Sequence, residues 1–251
     1  MSAALAAAAL LMPQPVRALG EPRDPVDRPA PIAMLLYPGM TALDLVGPQS
    51  LLAGITKVPI QLVARRTGPV ESDTGLALTA THDFETCASD VSVLFVPGGD
   101  GTPAQMRDAP TLAFLRDRAA RARWIASVCT GSLILGAAGL LEGYRATSHW
   151  CVREAVLPRL GAIPVDARVV FDRDRVTAAG VSAGLDFALA LAARLRGEDH
   201  ARTAQLVAEY APQPPFRAGT PAEAGPDVTR AADAILSGLI AGAKSAAFDR
   251  R

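Results

Sequence analysis

Several things are scarce in this chain, and each scarcity removes a class of explanation. There is no excess of charge of either sign: 25 Lys and Arg face 25 Asp and Glu. A neutral chain has no bulk electrostatic pull toward nucleic acid or an anionic membrane surface, so neither is expected as a partner. Cysteine is limited to Cys87, Cys129 and Cys151. That number is odd and the spacing is not that of metal ligands, which argues against a disulfide framework and against a metal site. Aromatic residues are only 5% of the chain. The apolar run Ala3 to Met12 is too short to span a bilayer, and no Lys or Arg precedes it. It otherwise resembles the apolar part of an export signal, followed by Pro13, Pro15 and the small-residue stretch around Ala18. A cytoplasmic location is expected, with a periplasmic one as the alternative if residues 1–20 are a truncated signal. There is no internal repeat or coiled-coil heptad.

Apolar residues make up 50% of the 251 positions. Ala, Leu, Val and Gly dominate, which suits helices packed closely on a mostly parallel sheet. Glu21 to Pro31 alternates proline with charge and reads as an extended linker. The expected organisation is therefore an arm over residues 1–30 and one domain over 31–251. Short apolar runs at Ile32 to Tyr37, Ile60 to Ala64, Val91 to Val96 and Trp124 to Val128 read as strands. Val70 to Thr81 reads as an edge hairpin, and Arg168 to Phe171 with Arg175 to Ala178 as two further strands. Helical spacing marks the segments Thr41 to Gly54, Thr111 to Arg121, Ser132 to Leu141, Val152 to Leu160, Leu185 to Leu195, His200 to Tyr210 and Asp227 to Ala247. Pro48 suits a first helical turn. Strands alternating with helices imply βαβ crossovers and a three-layer α/β sandwich.

In such a sheet, ligands sit beyond the carboxyl ends of the strands. Three of those ends carry chemistry. Cys129-Thr130-Gly131 leaves no room for anything but a sharp turn between a strand and a small-residue helix. A strand turning directly into a helix lifts one side chain out of the packed layers. A thiol at a helix start is expected to lose its proton more easily; an ordinary buried cysteine is the rival reading. Asp44 offers a carboxylate at the start of the first helix, with a plain helix-cap role as the alternative. Gly98 and Gly99 offer backbone N–H groups that can approach a substrate closely, or simply form a turn. Together they make a nucleophile, an acid/base group and a hydrogen-bonding site.

These residues resemble the DJ-1/PfpI superfamily, flavodoxin-like domains with a cysteine on a strand–helix elbow. The matching pieces are L-D-L-V-G-P at Leu43 to Pro48, V-P-G-G at Val96 to Gly99, the elbow from Ser127 to Trp150, V-S-A-G-L-D at Val181 to Asp186, and P-Q-P-P-F-R-A-G-T-P at Pro212 to Pro221. The elbow is specific to the superfamily, and the proline-rich segment narrows the resemblance to its isonitrile-hydrating group. That resemblance implies a cofactor-independent hydro-lyase acting on a small isonitrile. Cys129 would be the nucleophile and Asp44 its acid/base partner, with Thr130 completing the site, and the protein would form a homodimer. Peptidases of the superfamily place His after the cysteine and Glu at the acidic position. Here those positions hold Thr130 and Asp44, which argues against a Cys-His peptidase. Glyoxalase-like action on 2-oxoaldehydes and redox sensing at Cys129 are the alternative activities. Regulators that join such a domain to a helix-turn-helix module are a further alternative, disfavoured by the roughly thirty residues after Pro221 and the lack of a basic excess. His149 is read as a half-buried histidine beside Trp150, with an accessory role at the site as its other reading. His82 and His200 are read as surface residues, and Trp124 and Trp150 as core.

Overall fold

A computed structural model describes residues 30–249; the readings of residues 1–29 as a signal-like arm and linker lie outside the described residues. In chain order the elements are β1 (Ile32–Leu35), α1 (Ala42–Thr56), β2 (Ile60–Val63), β3 (Gly68–Glu71), β4 (Ala77–Ala80), β5 (Val93–Val96), α2 (Thr102–Gln105) and α3 (Ala109–Ala119). Then come β6 (Trp124–Val128), α4 (Gly131–Ala137), β7 (Arg145–Ala146), α5 (Trp150–Val156) with a 3₁₀ turn at Leu157–Leu160, and β8 (Ile163–Pro164). β9 (Val169–Asp172), β10 (Arg175–Ala178), α6 (Ala183–Arg196), α7 (Glu198–Val207) and α8 (Pro221–Phe248) complete the described chain.

The central sheet runs in the order β2-β1-β5-β6-β10-β9, with only β9 antiparallel. Counting only the parallel strands, this is the flavodoxin-like order 2-1-3-4-5. After β1 the chain moves outward to β2, then returns to the other side of β1 for β5. The loops leaving β1 and β5 therefore diverge at their carboxyl ends and leave a crevice there, and β6 ends beside it. Every residue of β1, β5 and β6 is buried, as strands covered by helices on both faces must be. α1 packs on α6 and α7, while on the other side α4 contacts α2 and α3, and α8 contacts α2 and α5. Phe95 of β5 meets Phe187 of α6 at a ring-centroid distance of 5.5 Å, tying the sheet to the first helical layer. β3 and β4 form the expected hairpin as a separate two-stranded sheet. That hairpin docks on the loop after β1 through Gly39 N–H to Glu71 O and Asp73 N–H to Met40 O, both 2.9 Å.

Some sequence expectations change. Pro48 lies in the interior of α1, because the helix already starts at Ala42. Its missing N–H leaves the Asp44 carbonyl without the usual helical partner. The helix after the elbow ends at Ala137, short of the expected Leu141, and the short pieces β7, β8 and α2 carry no periodic signal. Trp124 is core as expected, but Trp150 is only half buried. His82 is likewise partly covered and lies 3.3 Å from the Gln61 amide, whereas His200 is exposed. α8 bends at Gly225 (φ 77°) and is long and apolar enough by composition to cross a membrane. Its C-terminal end is instead part of the domain: Ala243, Ala246 and Ala247 are buried, and the helix packs on α2 and α5. Farther toward its start, Val228 and Ile235 are exposed.

Candidate active site

Cys129 sits between β6 and α4 with φ 56°, a left-handed conformation rare for a residue with a side chain. Both ends of its backbone are clamped. Its N–H donates to the carbonyls of Ala178 and Ala179 (3.1 and 2.7 Å). Its carbonyl accepts from the hydroxyls of Ser132 (3.2 Å) and Ser148 (3.1 Å). Four hydrogen bonds thus hold the turn that aims the thiol toward the crevice. The side chain itself is 5% exposed.

Asp44, in the first turn of α1, is fully buried. Its Oδ2 accepts the Gly98 N–H at 2.9 Å, and its Oδ1 has no hydrogen-bond partner. Burial pushes this carboxyl up to about 7; the Gly98 N–H and the Cys129 thiol oppose that rise, and Asp73 adds slightly to it. The Cys129 thiol is close enough to act on the carboxyl's proton affinity, although the two are not aligned as a hydrogen bond. The thiol is itself held well above its ordinary value, by burial first and then by the Asp44 charge, with the Thr130 N–H opposing. The start of α4 therefore does not make Cys129 acidic as expected, because desolvation of a thiolate in this enclosed position outweighs it. The resting pair is a thiol beside a carboxyl that titrates near neutrality, and its protons belong to both groups.

The two glycines act differently from the expected role. A methyl group on Gly98 would lie 2.5 Å from the Thr130 nitrogen and 2.9 Å from the Cys129 Cβ. One on Gly99, whose φ is 135°, would lie 2.4 Å from the Thr41 nitrogen. The glycines are needed so that the turn after β5 can lie against the elbow and the β1 loop. Their N–H groups are already engaged, Gly98 with Asp44 and Gly99 with the Thr130 hydroxyl at 3.0 Å. They orient those side chains, and neither N–H stands open to a substrate.

Thr130 is buried, and its Oγ1 lies 2.7 Å from Thr102 Oγ1. Thr102 in turn lies 3.3 Å from the Tyr37 hydroxyl, which donates to the Pro97 carbonyl at 2.9 Å. Sequence reasoning missed Tyr37 and Thr102. The only available signal was their position at the carboxyl ends of β1 and β5. His149 caps α5, with Nδ1 3.0 Å from the Cys151 sulfur, and its ring lies beside that of Trp150. Its polar contacts go to Cys151 and none reaches Cys129. Burial lowers its proton affinity, with Arg153 contributing. Burial likewise raises the Cys151 thiol to about 12. Among the described residues, no three His, Cys, Asp or Glu side chains converge as metal ligands would.

The raised Asp44 value has a consequence for stability. The folded state holds this proton more tightly than the unfolded chain, where a carboxyl titrates near 4. The resulting stability is complete below about pH 4 and is lost as pH rises through about 7. That gap corresponds to about 4 kcal/mol. Asp44→Asn, which cannot ionise, should therefore melt close to wild type near pH 4 and above it at pH 8. A melting difference that does not change with pH would contradict the assignment.

Comparison with known proteins agrees with this arrangement. Residues 30–194 match the model of the DJ-1/PfpI family. The isonitrile hydratase of Pseudomonas putida is 52% identical over 190 residues, 76% of this chain and 82% of that one. A crystal structure of a ThiJ/PfpI family protein from Pseudomonas syringae superposes with a TM-score of 0.85 at 50% identity, covering 94% of this chain and 97% of that one. The HTH-type transcriptional regulator GbdR of Pseudomonas aeruginosa is 33% identical, but over only 50% of this chain and 34% of its own length. With its cysteine elbow, its flavodoxin-like strand order and the match over most of the domain, this chain belongs to the DJ-1/PfpI family.

Proposed function

We propose that the chain is an isonitrile hydratase, adding water to R–N≡C to give the N-substituted formamide. The observation that carries this is the buried Cys129–Asp44 pair, with its one unpartnered carboxylate oxygen. The strong similarity to the Pseudomonas putida isonitrile hydratase supports the same substrate class.

An isonitrile carbon carries a lone pair and becomes electrophilic only as it is protonated. The first step therefore needs a proton and a nucleophile at the same atom, and a neutral thiol supplies both. The Cys129 proton passes to Asp44 and on to the isonitrile carbon while the sulfur bonds to that carbon. The product is the thioimidate R–N=CH–S–Cys129, with no net change in charge. Because Asp44 titrates near 7, it can both take and give this proton at neutral pH, as an acid/base group should. In the second step a water oxygen bonds to the imidate carbon, and its proton passes through Asp44 to the nitrogen. The tetrahedral adduct then collapses, breaking the C–S bond and returning the hydroxyl proton to sulfur. The formamide leaves, and the pair is restored.

The redox-sensing reading gains nothing from this geometry. A redox-sensing cysteine needs an exposed thiolate, and Cys129 is enclosed and held protonated.

The expected assembly is a homodimer. Exposed apolar residues along α8 support it, with Ile235 84% exposed. Sedimentation at micromolar concentration should give two copies, and Ile235→Glu should move the protein toward one. A wild type that sediments as a single copy would remove the dimer.

Two variants test the chemistry, with formamide formation as the readout and melting curves as the fold control. Asp44→Asn should lose about 10²–10⁴-fold in rate. Cys129→Ser should lose nearly all activity, because a serine hydroxyl is a much poorer nucleophile than sulfur. A folded Asp44→Asn protein with near wild-type turnover would remove Asp44 from the mechanism.

A further inference from the structure

The proline-rich stretch Pro212 to Pro221 takes no part in the chemistry of Cys129 and Asp44. It leaves the end of α7 from a fixed point, because the Tyr210 hydroxyl donates to the Asp186 carboxylate in the first turn of α6 at 3.2 Å. Every residue from Ala211 to Thr220 is exposed, and residues 212–219 make no hydrogen bond among the described residues. Phe216 is 78% exposed, and Leu206 and Val207 at the end of α7 are 80% and 83% exposed. Large apolar side chains left in water close together mark an interaction surface. Beside them a groove of about 690 Å³ runs between α7 and the end of α1. Buried Leu51 and Ala204, with exposed Val207, give it an apolar lining. Lys57, Arg196 and His200 also line it, and Asp199 is the one acid among the lining residues. Neither Lys57 nor Arg196 has an ion-pair partner among the described residues. The stretch around Phe216 has the opposite charge: between Glu209 and Asp227 the acids Glu209, Glu223 and Asp227 stand against Arg217 alone.

We propose that this groove receives the proline-rich segment of a second copy of the chain, with Phe216 seated between α1 and α7 as the anchor. Each copy offers both a groove and a segment, so one twofold pairing fills both grooves. The segment's own groove is not its seat, since Phe216 stands in solvent although its segment starts beside that groove. Reach sets the geometry of the pair. Residues 211–216 span at most about 20 Å when extended, so the twofold axis must pass close to the end of α7. That brings Leu206 and Val207 of the two copies together and accounts for their exposure. The prolines hold the segment extended beforehand, so seating it costs little conformational freedom. The acids flanking Phe216 then approach Lys57 and Arg196. The proposal rests on the homodimer reading above and names the surface that closes it.

The experiment uses the full chain, with Phe216 replaced by the photo-crosslinking residue p-benzoylphenylalanine in isotopically labelled copies. After subunit exchange with unlabelled wild type and irradiation, mass spectrometry identifies the joined peptides. Position 216 of the labelled copy should join to unlabelled peptides from residues 50–57 and 199–208. Sedimentation in parallel gives the dissociation constants of wild type, Phe216→Asp and Gly54→Glu, with circular dichroism as the fold control. Gly54 lines the groove, and an added Cβ there meets nothing within 4 Å, so the glutamate fills the groove without disturbing the copy that carries it. Each variant should weaken association at least about tenfold, as loss of an anchor or of its pocket does. Crosslinks confined to one copy or to other surfaces, or association unchanged in either variant, would overturn the groove and leave the dimer standing. A wild type that sediments as a single copy would overturn the dimer and the groove together.

Discussion

The site depends on keeping a carboxyl out of water beside a thiol. Exposed to solvent, Asp44 would be ionised at neutral pH and the pair would have no proton to exchange with a weakly basic carbon. Burial alone would favour the protonated acid too strongly. The Gly98 N–H on Oδ2 pulls the other way, and the balance falls at about 7. Cys129 meets the same constraint: the enclosed position that holds Asp44 protonated also holds the sulfur protonated. For a reaction that adds S–H across one carbon, a neutral thiol is the right starting state. An enzyme that needed a standing thiolate would be poorly served here.

The fold meets this constraint through backbone contacts more than through side-chain charge. Three loops at the crevice beyond β1, β5 and β6 come within methyl-free distance of one another at Gly98 and Gly99. Thr41 N–H donates to the Gly98 carbonyl at 2.8 Å, Gly98 N–H donates to Asp44, and Gly99 N–H donates to Thr130. The loop after β5 is thus bonded to both of the others. The left-handed turn at Cys129, which would cost about 1–2 kcal/mol in a free chain, is held by partners at both its N–H and its carbonyl. The parallel strands supply the rigid frame, and the crevice arises because the chain reverses direction across β1.

Much of this was legible in the amino-acid order. The elbow could be read because an apolar strand runs into a small-residue helix with only Cys129-Thr130-Gly131 between them. Asp44 could be read because it is the acid at the carboxyl end of the first strand. The proton affinity of Cys129 could not, because a helix start and an enclosed position push a thiol in opposite directions and only the packing tells which is larger. Gly98 and Gly99 were legible as places of close approach, but not that the approach is to the elbow. Tyr37 and Thr102 were hidden for a different reason. Their hydroxyls act through partners 28 to 65 positions away, and no local pattern records such a contact. Pro48 was misplaced because its preference for first turns gave way to tertiary packing of α1 on α6.

The claim on which everything else rests is that Asp44 exchanges its proton near neutrality in the folded protein. Infrared difference spectra, with Asp44→Asn used to assign the band, follow the protonated carboxyl directly as pH is varied. The account predicts a band that disappears with a midpoint close to pH 7. A midpoint near 4, where an ordinary solvated aspartate titrates, would contradict it.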